Sequence, residues 1–286
     1  MKGFGGDWTA QKIEIVVEYA KAYLGIMKAR KYWKLLYFDG FAGSGFIVKE
    51  DKEDIEDIDV IEGAARRILA IDEPGSFDLY YFVEKDKKNA KLLIDEIKRA
   101  FPEKEKKVFV VTEDCNKKLR DLANFLKSPK GKNYKVLAFI DPFGMQVEWN
   151  ALQSLKGLGV DLWILIPVGM GVNRLLTKEG KIEPTWSLRL QSFLGMMEHE
   201  IVEAFYDKQP ILPLFGEDTV AVKKEKAIEI AGKLYREKLQ QIFKFVSRPF
   251  LMANAKNSLM YHFILGSNNQ TAVKIANDVV RKWSKS

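Results

Sequence analysis

The chain has 286 residues, of which 47% are apolar, with no low-complexity tract. That is enough to bury a core, as one large α/β domain with or without an added module, and it excludes a disordered or fibrous protein. Its longest apolar run, Leu162 to Met170, is too short to cross a bilayer; the single cysteine, Cys115, excludes an internal disulfide and a cysteine-cluster metal site, and is expected to be a buried apolar residue.

Forty-six Lys and Arg against 39 Asp and Glu leave a formal charge of +7 and a pI near 9.1. A polyanionic partner such as nucleic acid fits that balance, and so does a surface rich in ion pairs. Two histidines, His199 and His262, are little material for a zinc site, and no metal is expected. Met1 to Gly6 lacks the apolar core of a signal peptide, which points to the cytoplasm.

In chain order, Asp7-Trp8-Thr9 opens a helix to about Arg30, with apolar residues at mixed spacings of three and four. Leu35-Leu36-Tyr37-Phe38-Asp39 reads as a buried strand, and Gly40-Phe41-Ala42-Gly43-Ser44-Gly45 as a turn whose glycines let a ligand approach the backbone. No Lys follows Gly45 as a phosphate loop requires, and the acid at the strand end suits a ligand carrying a cation and a ribose. A plain tight connection between strand and helix is the alternative. Lys49 to Asp59 reads as an acidic surface loop leading into a helix over Ile61 to Leu69.

A second strand, Asp78 to Val83, ends at Glu84, placed to accept ribose hydroxyl protons; alternatively Glu84 or Asp86 complements the dipole of the helix from Lys87 to Phe101. Glu84 follows the glycines by about forty residues, where the dinucleotide fingerprint has roughly twenty, so the intervening loop and helix are an insertion. A third strand, Lys107 to Val111, precedes Asp114, which either accepts from a purine amine or caps the helix at Lys117 to Leu126. The fourth, Lys135 to Ile140, is almost entirely apolar and hence central in a parallel sheet. It runs into Asp141-Pro142-Phe143-Gly144, where Pro142 fixes the backbone, Gly144 permits a turn and Phe143 offers a stacking face.

Together these motifs resemble the class I S-adenosylmethionine-dependent methyltransferases, and Asp141-Pro142-Phe143 is similar to the signature of those acting on exocyclic base amines. More narrowly, Tyr37 to Gly45 and Phe139 to Gly144, with Trp149 shortly after, resemble the three-Cys-motif partner proteins. That family is methyltransferase-like and carries a winged-helix-like segment. The resemblance implies S-adenosylmethionine as cofactor, with Asp39, Phe41, Ala42, Gly43 and Gly45 around its methionine part, Glu84 on the ribose and Asp114 on the adenine. It implies that Asp141, Pro142 and Phe143 line the target site. RNA or DNA, and a partner protein, are the implied partners. Phe143-Gly144 departs from the Pro-Tyr or Pro-Phe of amine methylation.

The rest of the chain completes a Rossmann-like sheet. Asp161 to Pro167 is a fifth strand, followed by a glycine turn up to Arg174. Residues 175–245 read as a mainly helical insertion, with helices around Trp186 to Phe205 and Val222 to Phe245 separated by Pro210 to Gly216. Val246 to Met252 and Leu259 to Leu265 read as two antiparallel strands, and Gln270 to Trp283 as a closing helix. The methyltransferase-like α/β domain is then 1–174 with 246–286, a mostly parallel sheet with a C-terminal antiparallel strand.

Overall fold

The computed structural model describes residues 6–48, 60–177, 182–211, 218–254 and 256–284. In chain order the elements are α1 (Gly6–Met27), β1 (Lys34–Asp39), β2 (Phe46–Val48), β3 (Val60–Glu62), α2 (Ala64–Leu69), β4 (Leu79–Val83), α3 (Lys87–Ala100), β5 (Val108–Val111), α4 (Cys115–Lys127), β6 (Tyr134–Ile140), α5 (Trp149–Gln153) and β7 (Val160–Ile166). There follow α6 (Pro184–Leu194), α7 (Glu198–Phe205), β8 (Tyr206–Ile211), β9 (Asp218–Lys223), α8 (Ala227–Leu239), β10 (Phe245–Val246), β11 (Phe250–Ala253), β12 (Leu259–Ser267) and α9 (Gln270–Trp283).

The main sheet runs β5-β4-β1-β6-β7-β12, with β10 and β11 both on the outer side of β12. From β5 to β7 every pairing is parallel, and β12 is antiparallel to β7, β10 and β11. This is the predicted α/β Rossmann-like sheet with an antiparallel strand at its C-terminal end. The last-but-one predicted strand is broken in two, because Pro249 has no N–H for the ladder. Ser247 bridges the break: its N–H donates to the Leu265 carbonyl (2.8 Å) and its hydroxyl accepts from the Leu265 N–H (2.9 Å).

Strand alternation divides the core into two layers. Leu35, Tyr37, Leu137, Phe139, Trp163 and Leu165 face α1, α2, α3 and α9. Leu36, Phe38, Val136, Ala138, Leu162 and Ile164 face α4 to α8. Both faces of β1, β6 and β7 are thus covered, which is why these strands are continuous apolar runs. Each fully buried large side chain, Trp163 and Phe38 among them, contributes about 1.5–3 kcal/mol.

Two local departures from expectation concern short hairpins. Val60 to Glu62 pairs with Phe46 to Val48 as a short hairpin, so α2 begins at Ala64 and not at Ile61; Gly63 ends the strand. The stretch Lys49 to Asp59 lies outside the described residues. Between α7 and α8 the stretch expected only to separate two helices forms a second hairpin, β8–β9, with Pro210 within β8, and α8 begins at Ala227 and not at Val222. Among the described residues of 175–245, Leu190, Phe193, Ile201, Phe205, Ala231 and Tyr235 belong to the same buried cluster as Phe38 and Ala138 of the sheet. Among the described residues no helix is long and apolar enough to cross a membrane.

Candidate functional site

The sheet order reverses at β1: its chain successors β4 and β5 lie on one side, and β6 and β7 on the other. The crevice outside the carboxyl ends of β1 and β6 is therefore the topological switch point, where open α/β sheets take their ligands.

Asp39 closes β1 there and is 1% exposed. Its Oδ1 accepts from the Phe41 N–H (3.0 Å), which bends the chain back toward the strand end. The turn is then pinned to both neighbours. The Gly40 N–H donates to the Phe139 carbonyl of β6 (2.9 Å), and the Ala42 N–H to the Val83 carbonyl of β4 (3.0 Å). Gly43 and Gly45 have φ of +64° and +86°, the left-handed region where a Cβ is strained. The Gly63 N–H donates to the Gly45 carbonyl (2.8 Å), and a Cβ on Gly63 would stand 2.9 Å from that oxygen.

Glu84 fastens the loops after β1 and β4 together. Its Oε2 accepts from the Gly43 N–H (2.8 Å) and its Oε1 from the Asp86 N–H (2.7 Å). Asp86, not Glu84, caps α3, accepting from the Asn89 N–H (2.8 Å). At the end of β5, Asp114 does cap its helix: Oδ1 accepts from the Asn116 N–H (2.9 Å), while Oδ2 stands 3.8 Å from Lys85 Nζ. Buried Asn116 ties in the loop after β6, donating to the Gln146 carbonyl (2.9 Å) and accepting from the Glu148 N–H (2.8 Å).

Asp141 is held by a cation that the sequence reading missed: Lys12 Nζ on α1 lies 2.5 Å from its Oδ2. Phe143 stands at the mouth of the crevice, 82% exposed. Pro142 is buried beneath the loop.

Two adjoining cavities meet at Phe41 and Phe143. One, of about 380 Å³, holds Asp39, Ala42, Gly43, Gly45 and Asp141, and α1 adds Thr9 and Lys12 to its wall. The other, of about 540 Å³, holds Glu84 and Asp114, with Gln146 and Arg189 on its far wall. Both fall in the roughly 300–1,000 Å³ of small-molecule sites. Nine of the ten expected site residues thus line one continuous crevice, and Pro142 lines neither part. The added residues, Thr9, Lys12 and Arg189, come from helices outside the strand-end loops. Thr9 and Lys12 stand three apart on one helix face, which is the one signal the sequence offered for them.

Burial drives the electrostatics. The Asp39 carboxyl is pushed up to about 7, mainly by its removal from water and further by the negative charges of Asp141 and Glu84; the Phe41 N–H and the Tyr37 hydroxyl oppose the shift. Among the described residues no cation pairs with it, so the cavity offers an uncompensated carboxylate. Burial also pushes the Cys115 thiol up, and with it goes its nucleophilicity. The thiol packs under Gly40, where a Cβ would stand 2.6 Å from Sγ.

No family model matches the chain, and no curated protein matches it. Among solved structures, protein LPL1258 from Legionella pneumophila, of family-model DUF519, is 17% identical, with 90% of this chain and 97% of that one covered and a TM-score of 0.41. Trm1 from Pyrococcus horikoshii, solved with S-adenosyl-L-methionine, is 11% identical over 99% of this chain and 73% of that one, with a TM-score of 0.39. The putative methyltransferase yhhF from Escherichia coli is 13% identical over 73% and 86%, with a TM-score of 0.28. Likenesses of this size leave the classification to the strand order itself. The chain has a Rossmann-like α/β fold whose antiparallel strand lies near the β7 edge and whose ligand crevice opens at the switch point between β1 and β6.

Proposed function

We propose that this chain is an S-adenosylmethionine-dependent methyltransferase of the three-Cys-motif partner kind, transferring methyl to an exocyclic amine of a nucleic acid base. The observation that carries the reading is the uncompensated, buried Asp39 carboxylate beside a glycine turn that Glu84 holds open.

The residues present suit the cofactor's chemistry. A cationic ligand end relieves the burial cost of Asp39, while a phosphate there would face Asp39, Glu84 and Asp141 together. Gly43 and Gly45 let the ligand lie against bare backbone. Glu84 spends one lone pair of each oxygen on the loops and retains the others for ribose hydroxyls. Asp114 keeps Oδ2 for an adenine amine. When bound, S-adenosylmethionine supplies an electrophilic methyl group on a sulfonium.

On the acceptor side, the Phe143 ring offers a planar base a stacking face at the point where the two cavities meet. Pro142 locks the backbone beneath it. The chain's contribution to rate is then positioning and exclusion of water, with no dedicated base, since the amine lone pair attacks first.

A second reading rests on the ion pair between Lys12 and Asp141: with Asp141 engaged, the crevice resembles that of a binding adaptor without chemistry. Calorimetric titration with S-adenosylmethionine and with its demethylated product, followed by tritiated methyl transfer to total RNA, DNA and protein, separates the two. Binding of both ligands and label in nucleic acid supports the enzyme. Binding without transfer to any acceptor favours the adaptor, and absence of binding removes the cofactor assignment.

A further inference from the structure

The positive charge of this protein is concentrated at the end of the sheet away from the crevice. Two stretches there, residues 28–34 and 127–135, contain Lys28, Arg30, Lys31 and Lys34, and Lys127, Lys130, Lys132 and Lys135, with no Asp or Glu. These eight are part of the 46 Lys and Arg, so the rest of the chain carries 38 cations against 39 acids. The net charge of +7 is thus entirely accounted for by sixteen residues.

Tertiary structure makes them one surface. Strands β1 and β6 are parallel neighbours with Lys34 opposite Tyr134 and Leu35 opposite Lys135, and the Lys34 N–H donates to the Asn133 carbonyl (2.9 Å). Their two leading loops therefore lie side by side at the amino ends. All eight cations except Lys135 are exposed, and no ion pair joins any of the eight to an acid among the described residues. Elsewhere Lys and Arg are commonly paired, as in Lys118 with Asp121 and Arg281 with Asp278. Two acids adjoin this surface: Asp161 is buried and accepts from the Tyr19 hydroxyl (2.7 Å) and the Ser267 hydroxyl (2.5 Å), and Asp78, at the amino end of β4, accepts from the Leu35 N–H (2.7 Å).

Aromatic rings interleave the cations. Tyr32 is 67% exposed, its ring 4.8 Å from that of Trp33. Lys135 Nζ lies 4.2 Å over the Trp33 ring, and Lys34 Nζ 5.7 Å from the Tyr134 ring. Between the first loop and the amino end of β7 is a polar cavity of about 250 Å³ with Arg30, Trp33, Lys135, Asp161, Asn268 and Asn269 on its wall. A dense field of unpaired cations with an exposed aromatic ring, that of Tyr32, recognises a phosphodiester backbone with unstacked bases.

We infer that this basic, aromatic surface at the amino ends of β1 and β6 is a docking site for single-stranded nucleic acid. It lies a strand length, about 20 Å, from the crevice. It therefore contacts a different part of the same polymer from any part that enters the crevice, and it positions without reading sequence. The inference stands without the methyl-transfer reading, because it concerns binding alone.

The test is fluorescence anisotropy with a labelled oligouridylate of about 30 nucleotides, without cofactor, from about 50 to 200 mM salt. The double variant Lys31→Glu/Lys132→Glu is expected to weaken binding about tenfold or more and to flatten the slope against log salt by about 1 to 2. Tyr32→Ala is expected to weaken binding several-fold to about tenfold with the slope unchanged. The control Lys91→Glu/Lys226→Glu makes the same change in net charge at exposed positions away from the amino ends of β1 and β6 and is expected to leave both within about twofold. Equal losses in the two double variants would overturn the assignment. So would absence of oligouridylate binding, and if vesicles of phosphatidylglycerol then bound through the same lysines, the partner would be a membrane.

Discussion

Lys12 Nζ sits 2.5 Å from Asp141 Oδ2, so α1 is tied to the carboxyl end of β6 across the mouth of the crevice. Both side chains are largely buried, which puts the pair between the surface case, worth up to about 1 kcal/mol, and the buried case, where removing one partner costs about 3–5 kcal/mol. Lys12→Met and Asp141→Asn are each expected to destabilise by about 1–3 kcal/mol. The double variant should lose less than the sum, and denaturant melts of all four proteins check the coupling. Additive losses would show that the pair is incidental.

Asp39 makes stability depend on pH in a direction opposite to that of most carboxylates. Below about pH 4 it is protonated in the folded and the unfolded chain alike; between about 4 and 7 only the folded chain keeps the proton. Its ionisation therefore costs stability as pH rises through that window, in total on the order of 4 kcal/mol at pH 8. Asp39→Asn is expected to gain on the wild type across the same window and to be the more stable protein at pH 8, while losing affinity for S-adenosylmethionine. Thermal melts at pH 4, 6 and 8 give the answer, and a difference independent of pH would contradict the burial argument.

The same carboxyl couples ligand to proton. A cation beside Asp39 favours its ionised form, so cofactor binding near pH 6 should release a proton and tighten as pH rises to about 8. Calorimetry in buffers of different ionisation enthalpy measures that proton directly. No release would mean that the cationic end of the ligand lies elsewhere.

Glu84 is expected to act on the glycine turn as much as on a ligand. In Glu84→Gln one of the two N–H groups, of Gly43 or of Asp86, faces an amide N–H₂ and loses its acceptor. About 1–3 kcal/mol of stability and at least tenfold in cofactor affinity should go together, with faster hydrogen exchange at the amide left without its acceptor. Full protection of both amides in the variant would show that the turn holds itself.

Phe143 should behave in the opposite way. At 82% exposed it packs on little, so Phe143→Ala is expected to move stability by no more than about 0.5 kcal/mol. Cofactor affinity should likewise be kept, and transfer to nucleic acid should fall about tenfold or more, read in the tritium assay. Unchanged transfer would remove Phe143 from the acceptor side.

Much of this architecture was written locally. A continuous apolar run such as Val136 to Ile140 has to be buried on both faces, and Gly43 and Gly45 tolerate positive φ wherever they stand. An acid at the end of a strand or within three residues after it, as Asp39, Glu84 and Asp114 are, falls at the carboxyl edge of a parallel sheet whatever the order of its strands. Strand type, the glycine turn and the acidic strand ends were therefore legible from residue spacing, and so was α9, with residues Gln270 to Trp283 as expected.

What sequence alone could not decide is which distant segments meet. The break at Pro210 to Gly216 was legible, but only the pairing partner makes each flank of the hairpin β8–β9 a strand. Lys12 reaches Asp141 because α1 crosses the crevice, a fact of packing and not of spacing. The two lysine-rich loops, about a hundred residues apart, become one surface because β1 and β6 are neighbours in the same direction. Periodicity is a local property and reports one element's own face; charge complementarity and shared surfaces depend on distances in space, and those exist only once the sheet has chosen its order.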